Sequence, residues 1–143
     1  MIAEVFLARL DGVRRTGPGR WIARCPGHDD RRPSLNIREL GDGRVLLHDF
    51  GGCATVEVLE AVGLTFADLL PGGERIDHRA KRERQPFPAM DVLRAVSFEV
   101  DVVAIAATMI SQGEPLSEVD RQRVMVAAQR LREAAHLAGV SDA

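Results

Sequence analysis

Alternating apolar and polar residues in the first half of the chain predict a small antiparallel sheet. Leu35 and Ile37 fall on one face of an extended segment, and the Gly41-Asp42-Gly43 turn that follows returns the chain beside it. The three expected strands are Trp21–Arg24, Ser34–Arg38 and Arg44–His48. The residues between Arg14 and Arg20 contain two glycines and a proline, and they predict a turn.

Short helices are expected on both sides of this sheet. Residues Ile2–Leu10 predict the first, which ends before Gly12. Its expected core residues are Val5, Phe6, Ala8 and Leu10. After the sheet, Thr55 is the expected N-cap of a helix over Val56–Val62 that stops at Gly63.

One more helical turn is predicted from a capping box at Thr65-Phe66-Ala67-Asp68. Apolar residues in and around this turn are expected to pack back on the sheet: Leu64, Phe66, Leu69 and Leu70.

The last third of the chain has helical periodicity. Apolar residues at helical spacing predict a helix over Met90–Ser111, and a second helix over Val119–Leu137 starts after Ser117. The expected core positions of the first helix are Val92, Leu93, Val96, Val100, Val103, Ala107 and Ile110. Glu99 and Asp101 are expected to be surface charges. The two helices predict an antiparallel hairpin, which either folds on the sheet or docks on a partner.

The pattern as a whole predicts an α+β fold, in which a small sheet flanked by short helices is followed by a helical hairpin. The expected division is residues 1–71 for the sheet unit, 72–89 for a charged and mobile linker, 90–139 for the hairpin and 140–143 for a tail. A sheet unit of this size buries little core, so a structural metal would add folding free energy.

Candidate metal ligands lie at both ends of the predicted hairpin. Cys25 and His28 are separated by two residues, and Cys53 follows Gly51-Gly52 at the far end. Thiolate, imidazole and carboxylate are the zinc ligands found in proteins. A fourth ligand would be His48 or Asp49, whose side chains point to opposite faces of an extended strand. The alternatives are buried cysteines without a metal, or a disulfide.

This pattern resembles the zinc-binding domain of bacterial, phage and plasmid DNA primases. The resemblance covers residues 1–71 and rests on C-P-x-H-x-D-x-x-P-S, a hairpin, H-[ligand]-F-x-G-C and a short helix ending in Gly-Leu. The family's Cys-His-Cys-Cys ligands fall on Cys25, His28, Asp49 and Cys53, so Asp49 stands where a cysteine is expected. The resemblance implies one structural Zn²⁺ with a carboxylate as its fourth ligand.

The resemblance also implies a function. In primases this domain binds the single-stranded template and helps to choose the start site of primer synthesis. The polymerising domain of that family has clustered acidic residues, and this sequence has neither its E-G-x-x-D nor its D-x-D pattern. The chain is therefore expected not to be an enzyme, and to assist a primase, polymerase or replicative helicase of a phage or mobile element.

Charge is distributed unevenly along the chain. The net charge is only −2, but seven arginines and two aspartates fall between residues 14 and 38. Arginine binds phosphate, and aromatic side chains stack on unpaired bases. The candidate DNA-binding residues are Arg14, Arg15, Arg20, Trp21, Arg31, Arg32, Ser34, Asn36, Arg38 and Phe50.

Two other properties bound the location and function of the chain. No apolar run approaches the roughly 18 residues of a membrane span. Without a signal peptide we expect a reducing, cytoplasmic compartment, in which a disulfide is disfavoured. Two rival hypotheses remain: a zinc-ribbon adaptor that binds proteins instead of DNA, and a fold that has lost its metal.

Overall fold

The computed structural model describes residues 2–73 and 83–140, which form a four-stranded antiparallel sheet and five α-helices. The strands are β1 (Arg14–Gly17), β2 (Arg20–Ala23), β3 (Leu35–Glu39) and β4 (Val45–Asp49), in the order β1-β2-β3-β4. The helices are α1 (Ile2–Leu7), α2 (Thr55–Ala61), α3 (Ala89–Ala95), α4 (Ser97–Ser111) and α5 (Glu118–Leu137). The α+β fold class is therefore confirmed. Residues 74–82 of the expected linker and residues 141–143 of the tail lie outside the described residues.

The sheet has one strand more than the sequence predicted. Arg14–Gly17 pairs with β2 and is a strand, so the prediction of a turn there was wrong for its first four residues. Only Pro18 and Gly19 form the turn between β1 and β2. The strand was missed because it lies at the sheet edge, has an irregular register between Arg15 and Gly17, and contains no large apolar residue.

One face of the sheet covers the first core. Ala23, Leu35 and Asp49 form one row of cross-strand neighbours, and Trp21, Ile37 and Leu47 form the next. Helices α1 and α2 and the 3₁₀ turn Phe66–Leu69 pack against this face. The buried side chains of this core are Ala3, Phe6, Ala23, Cys25, Leu35, Ile37, Val45, Val58, Leu59 and Leu69. Cys25 belongs both to this core and to the candidate metal site, so packing in the first core positions one of the potential ligands.

The opposite face packs on the C-terminal helices. Its second core contains Ile22, Phe50, Phe87, Val92, Ala95, Val96 and Ala134. The helical hairpin therefore folds on the sheet, which was one of the two arrangements expected from sequence. Phe87, at the end of the predicted linker, is buried here. Arg38 donates hydrogen bonds to the carbonyl oxygens of Gln85 and Pro86, at 2.9 and 2.8 Å, and so fixes the segment that enters α3.

Several helix details differ from the prediction. Helix α1 ends at Leu7, and two of its four expected core residues, Val5 and Ala8, are exposed. Ala54 is the N-cap of α2 in place of Thr55, because the Glu57 carboxylate accepts a hydrogen bond from the Ala54 N–H. The capping box at Thr65 is confirmed, although Phe66 is 47% exposed and does not pack into the core.

The long helix predicted over Met90–Ser111 is two helices that meet at Val96. The change of direction places Val92 and Val96 in the second core. Expected core residues that the structure leaves exposed are Leu93, Val100, Ala107 and Ile110. Ser117 caps α5 as predicted, since its hydroxyl accepts a hydrogen bond from the Asp120 N–H.

Glu99 was expected at the surface, and this expectation was wrong. Its side chain is buried and accepts hydrogen bonds from Arg123 and Arg130, both at 2.8 Å. Burial raises the pKa of Glu99, but the two guanidinium groups outweigh this effect and lower it. Asp101 is exposed as predicted and pairs with Arg32.

Among the described residues, no helix is long and apolar enough to cross a membrane.

Candidate functional site

Four potential ligands meet at one end of the sheet. Cys25 and His28 come from the loop after β2, Asp49 ends β4, and Cys53 precedes α2. Their ligand atoms all lie within 4.8 Å of one another. His28 Nδ1 is 3.2 Å from Cys53 Sγ and 3.6 Å from Asp49 Oδ2. Ligand atoms around tetrahedral zinc are about 3.3–3.8 Å apart, given its bond lengths. The group can therefore hold a metal ion after small movements.

The two alternatives for the fourth position lie on opposite faces of β4. Asp49 is paired with Leu35 on the side of the first core, and its side chain joins the cluster. His48 is paired with Asn36, packs edge-on against Phe50 at 4.5 Å, and approaches Glu133 of α5. Strand alternation thus removes His48 from the cluster and leaves Asp49 as its fourth member.

The Asp49 carboxylate is held in place by hydrogen bonds. Oδ1 accepts from the Ser34 hydroxyl at 2.6 Å and from the Gly51 N–H, and Oδ2 accepts from the Cys53 N–H at 2.9 Å. Burial raises the pKa of Asp49, but these donors outweigh burial and hold it below its ordinary value. Asp49 is therefore ionised. Its carboxylate orders residues 49–53, the second knuckle, and its Oδ2 faces His28.

His28 has an orienting partner of its own. Its Nε2 lies 3.5 Å from Asp30 Oδ1, on the side away from the cluster. Asp30 also accepts hydrogen bonds from the Cys25 and Ser34 N–H groups. Metal-binding histidines are commonly oriented by a carboxylate in this way. Asp30 is the aspartate of the C-P-x-H-x-D motif, and its position beside His28 follows from the loop geometry.

Two glycines allow the Cys25–His28 turn and the second knuckle to approach each other. A Cβ at Gly51 would lie 2.7 Å from His28 Cε1, and a Cβ at Gly27 would lie 3.0 Å from Cys53 Sγ. Side chains at either position would therefore separate the ligands. Gly52 has a φ of 106°, and a Cβ there would lie 2.8 Å from a guanidinium nitrogen of Arg130, so the second knuckle also lies close to α5.

Both cysteines are free thiols in the structure. Burial raises the pKa of Cys25 and of Cys53, and the nearby Asp49 carboxylate adds to the increase at both. Two thiolates beside an ionised carboxylate would need a compensating cation. A divalent metal supplies that charge and deprotonates its thiol ligands.

Three of the ten candidate DNA-binding residues are buried, which contradicts the expected contact with bases. Ser34 is bonded to Asp30 and Asp49, and Phe50 is 3% exposed within the second core. Asn36 is completely buried between Ile22 and His48, and its amide has no hydrogen-bond partner among the described residues. Trp21 is half-buried and packs on the first core.

The seven remaining candidates include the six arginines, of which some are engaged within the protein. Arg20 lies 3.5 Å from Asp91, Arg32 lies 2.6 Å from Asp101, and Arg38 binds the carbonyl groups before α3. Arg14, Arg15 and Arg31 are exposed, and the structure gives them no carboxylate partner among the described residues. These three are available to an external anion.

Two depressions on the surface collect the basic side chains. The basic groove, between β1 and α3–α4, is lined by Arg14, Arg15, Thr16, Ile22, Arg32, Pro33, Arg94 and Ser97. No carboxylate is among these residues. The knuckle cleft, between the metal cluster and the α4–α5 hairpin, includes His28, Arg31, Arg32, Cys53, Phe98, Arg123 and Arg130 in its lining. Arg94, Phe98 and Arg123 were not identified from sequence, because only the fold brings the C-terminal helices beside the arginine-rich segment.

Comparison of the chain with protein-family models, with curated proteins and with solved structures finds no match. The four-residue cluster and the two depressions beside it are therefore the features that indicate a function.

Proposed function

We propose that this chain is a primase-type zinc-ribbon module that binds single-stranded DNA and has no polymerising activity of its own. The observation that carries the proposal is the convergence of Cys25, His28, Asp49 and Cys53 on one point. This is the ligand order of the primase zinc domain, with a carboxylate in one cysteine position. A primase, polymerase or replicative helicase would supply the chemistry.

Zinc is the metal that this ligand set favours. Two thiolates and an imidazole are soft or borderline ligands, which select Zn²⁺ over Mg²⁺ and Ca²⁺. Four protein ligands complete a tetrahedron and leave no open position, as in a structural site. The cluster joins the loop after β2 to the start of α2, so a bound ion would link these two segments.

The basic groove is the proposed binding site of the DNA phosphate backbone. Arg14 and Arg15 are exposed at the edge strand, and Arg94 on α3 is half exposed although it pairs with Asp91 at 3.1 Å. No carboxylate is among the residues that line the groove. Guanidinium groups in a row can follow successive phosphates of a flexible single strand. For the binding of phosphates, this local concentration of arginines matters more than the near-neutral net charge of the chain.

We expect the double variant Arg14→Gln/Arg15→Gln to bind oligonucleotides more weakly and with less dependence on salt. Each phosphate contact on a single strand contributes about 0.7 to the slope of log affinity against log salt, so the slope should fall by about 1.4. Fluorescence anisotropy of a labelled oligothymidylate, titrated between about 50 and 200 mM salt, measures both quantities.

The matched control is Arg121→Gln/Arg132→Gln, which removes the same charge from exposed positions of α5 that line neither depression. It should keep most of the affinity and the slope of the parent. Equal losses in the two double variants would indicate attraction by overall charge and contradict the groove. Absence of oligonucleotide binding by the zinc-loaded parent would contradict the proposed function.

A protein-binding adaptor is the second candidate, and one observation favours it. Helix α4 carries large apolar side chains that remain exposed, including Phe98 at 50%, Ile105 at 63% and Ile110 at 60%. Val119 and Met125 of α5 are also exposed, at 77% and 71%. A zinc-loaded parent that does not bind oligonucleotides at any salt concentration would favour this candidate.

A further inference from the structure

The basic groove and the knuckle cleft meet at one side chain. Arg32 lines both depressions, and its guanidinium carbon lies 5.4 Å from the centre of the Phe98 ring. On the cleft side, Arg123 of α5 lies 5.6 Å from the same ring centre. A strand that follows the groove past Arg32 therefore reaches Phe98 next.

Phe98 is 50% exposed at the mouth of the cleft. Phe6, Phe50 and Phe87 are at most 3% exposed, and Phe66, at 47%, lines neither depression. An exposed aromatic ring beside guanidinium groups is the combination with which single-strand binding proteins stack unpaired bases. The guanidinium groups of Arg32 and Arg123 both lie over the ring in cation–π contact, so they would have to move apart to admit a base against it.

The charge of the knuckle cleft differs from that of the groove. Carboxylates line it as well as arginines, but most are engaged: Glu99 with Arg123 and Arg130, Asp30 with the ligand loop, and Glu57 with the Ala54 N–H. The balance of charge suits an uncharged base better than a second phosphate. The carboxylate-free groove suits the backbone.

We propose that the knuckle cleft accepts an unpaired nucleobase of the bound strand, stacked on Phe98 between Arg32 and Arg123, while the phosphates occupy the basic groove. This inference rests on the proposed function, because it places a base of the same single strand. In this arrangement the C-terminal hairpin contacts the strand directly, in addition to packing on the sheet.

The test compares the parent with Phe98→Ala on two oligonucleotides of equal length, one of thymidines and one of abasic sugars. Both carry the same phosphates, so their difference in affinity for one protein reports contacts to bases. The parent should prefer the thymidine strand by roughly fivefold or more, as expected for one stacked base. Phe98→Ala should lose most of that preference and bind the abasic strand as the parent does.

Two further variants make the outcome specific. Ile105→Ala, at an exposed apolar position on the same helix, should bind both strands as the parent does. Phe98→Leu keeps apolar volume but lacks the aromatic face, and should resemble Phe98→Ala. Unchanged thermal midpoints would show that the variants are folded.

The possible failures can be distinguished. If the parent binds neither strand, both the proposed function and this inference are contradicted. If the parent prefers the thymidine strand and Phe98→Ala keeps the same preference, only the base site at Phe98 is overturned. Binding that depends on Arg14 and Arg15 but not on the bases would leave the basic groove as the whole site and would likewise overturn it.

Discussion

Substitution of Asp49 by alanine should release the metal. Loss of a residue that only orients a ligand costs about 10- to 100-fold in affinity, so loss of the ligand itself should cost at least about 100-fold. Asp49 contributes in both ways, because its carboxylate faces His28 and also accepts hydrogen bonds from the Gly51 and Cys53 N–H groups. Competition with a chromophoric zinc chelator measures the affinity of parent and variant.

Substitution by cysteine distinguishes these two contributions. Asp49→Cys lacks the oxygens that hold the second knuckle, but it restores the third thiolate of the Cys-His-Cys-Cys primase pattern. If Asp49 is a ligand, Asp49→Cys should bind zinc at least as tightly as the parent while Asp49→Ala does not. If both variants lose zinc equally, Asp49 acts only by ordering the loop, and the fourth ligand is not this residue.

Removal of the Glu99 carboxylate should cause the second large effect, on folding stability. Its side chain is 5% exposed, and Glu99→Ala leaves Arg123 and Arg130 without the carboxylate that neutralises them. Breaking a fully buried ion pair costs about 3–5 kcal/mol, and because both arginines are about a third exposed we expect about 2–3 kcal/mol here. Urea unfolding of the zinc-loaded proteins measures the difference.

Asp101→Ala is the matched control for Glu99→Ala. Asp101 lies two residues away on the same helix and pairs with Arg32, but both side chains are about half exposed. Exposed ion pairs contribute at most about 1 kcal/mol. Equal destabilisation by the two substitutions would contradict the buried Glu99 network as a source of stability.

The contribution of Glu99 should depend on pH in a fixed direction. Because its pKa in the folded protein is lowered below the ordinary 4.5, the carboxylate stabilises the folded state fully above that value. The contribution declines as the pH falls below 4.5 and is lost below the folded-state pKa. The difference in unfolding free energy between the parent and Glu99→Gln should therefore shrink with acidification; a constant difference would contradict the ionised state.

The metal cluster was predictable because its information is local. Cys25 and His28 lie on one turn, Asp49 and Cys53 on another, and strand alternation places Asp49 and His48 on opposite faces. The hairpin between β3 and β4 was also marked by its own turn residues. Such features depend on neighbours within a few positions, which periodicity and turn chemistry describe directly.

The surroundings of the cluster depend on contacts that are distant in sequence. Ser34 and Phe50 looked like base-reading residues because the arginine-rich segment suggested a nucleic-acid surface, but Ser34 bonds to Asp49 and Phe50 supports α3 and α5 in the second core. Glu99 has the sequence context of a surface charge. Its burial follows only from α5, whose Arg123 and Arg130 are 24 and 31 residues away.

The most direct test of the central claim is the zinc content of the parent protein, purified without chelator, measured together with its reactive thiols. We predict about one zinc per chain, with Cys25 and Cys53 protected from a thiol reagent until the metal is removed. A metal-free protein with two reactive thiols, which gains no stability when zinc is added, would contradict the metal site on which the proposed function rests.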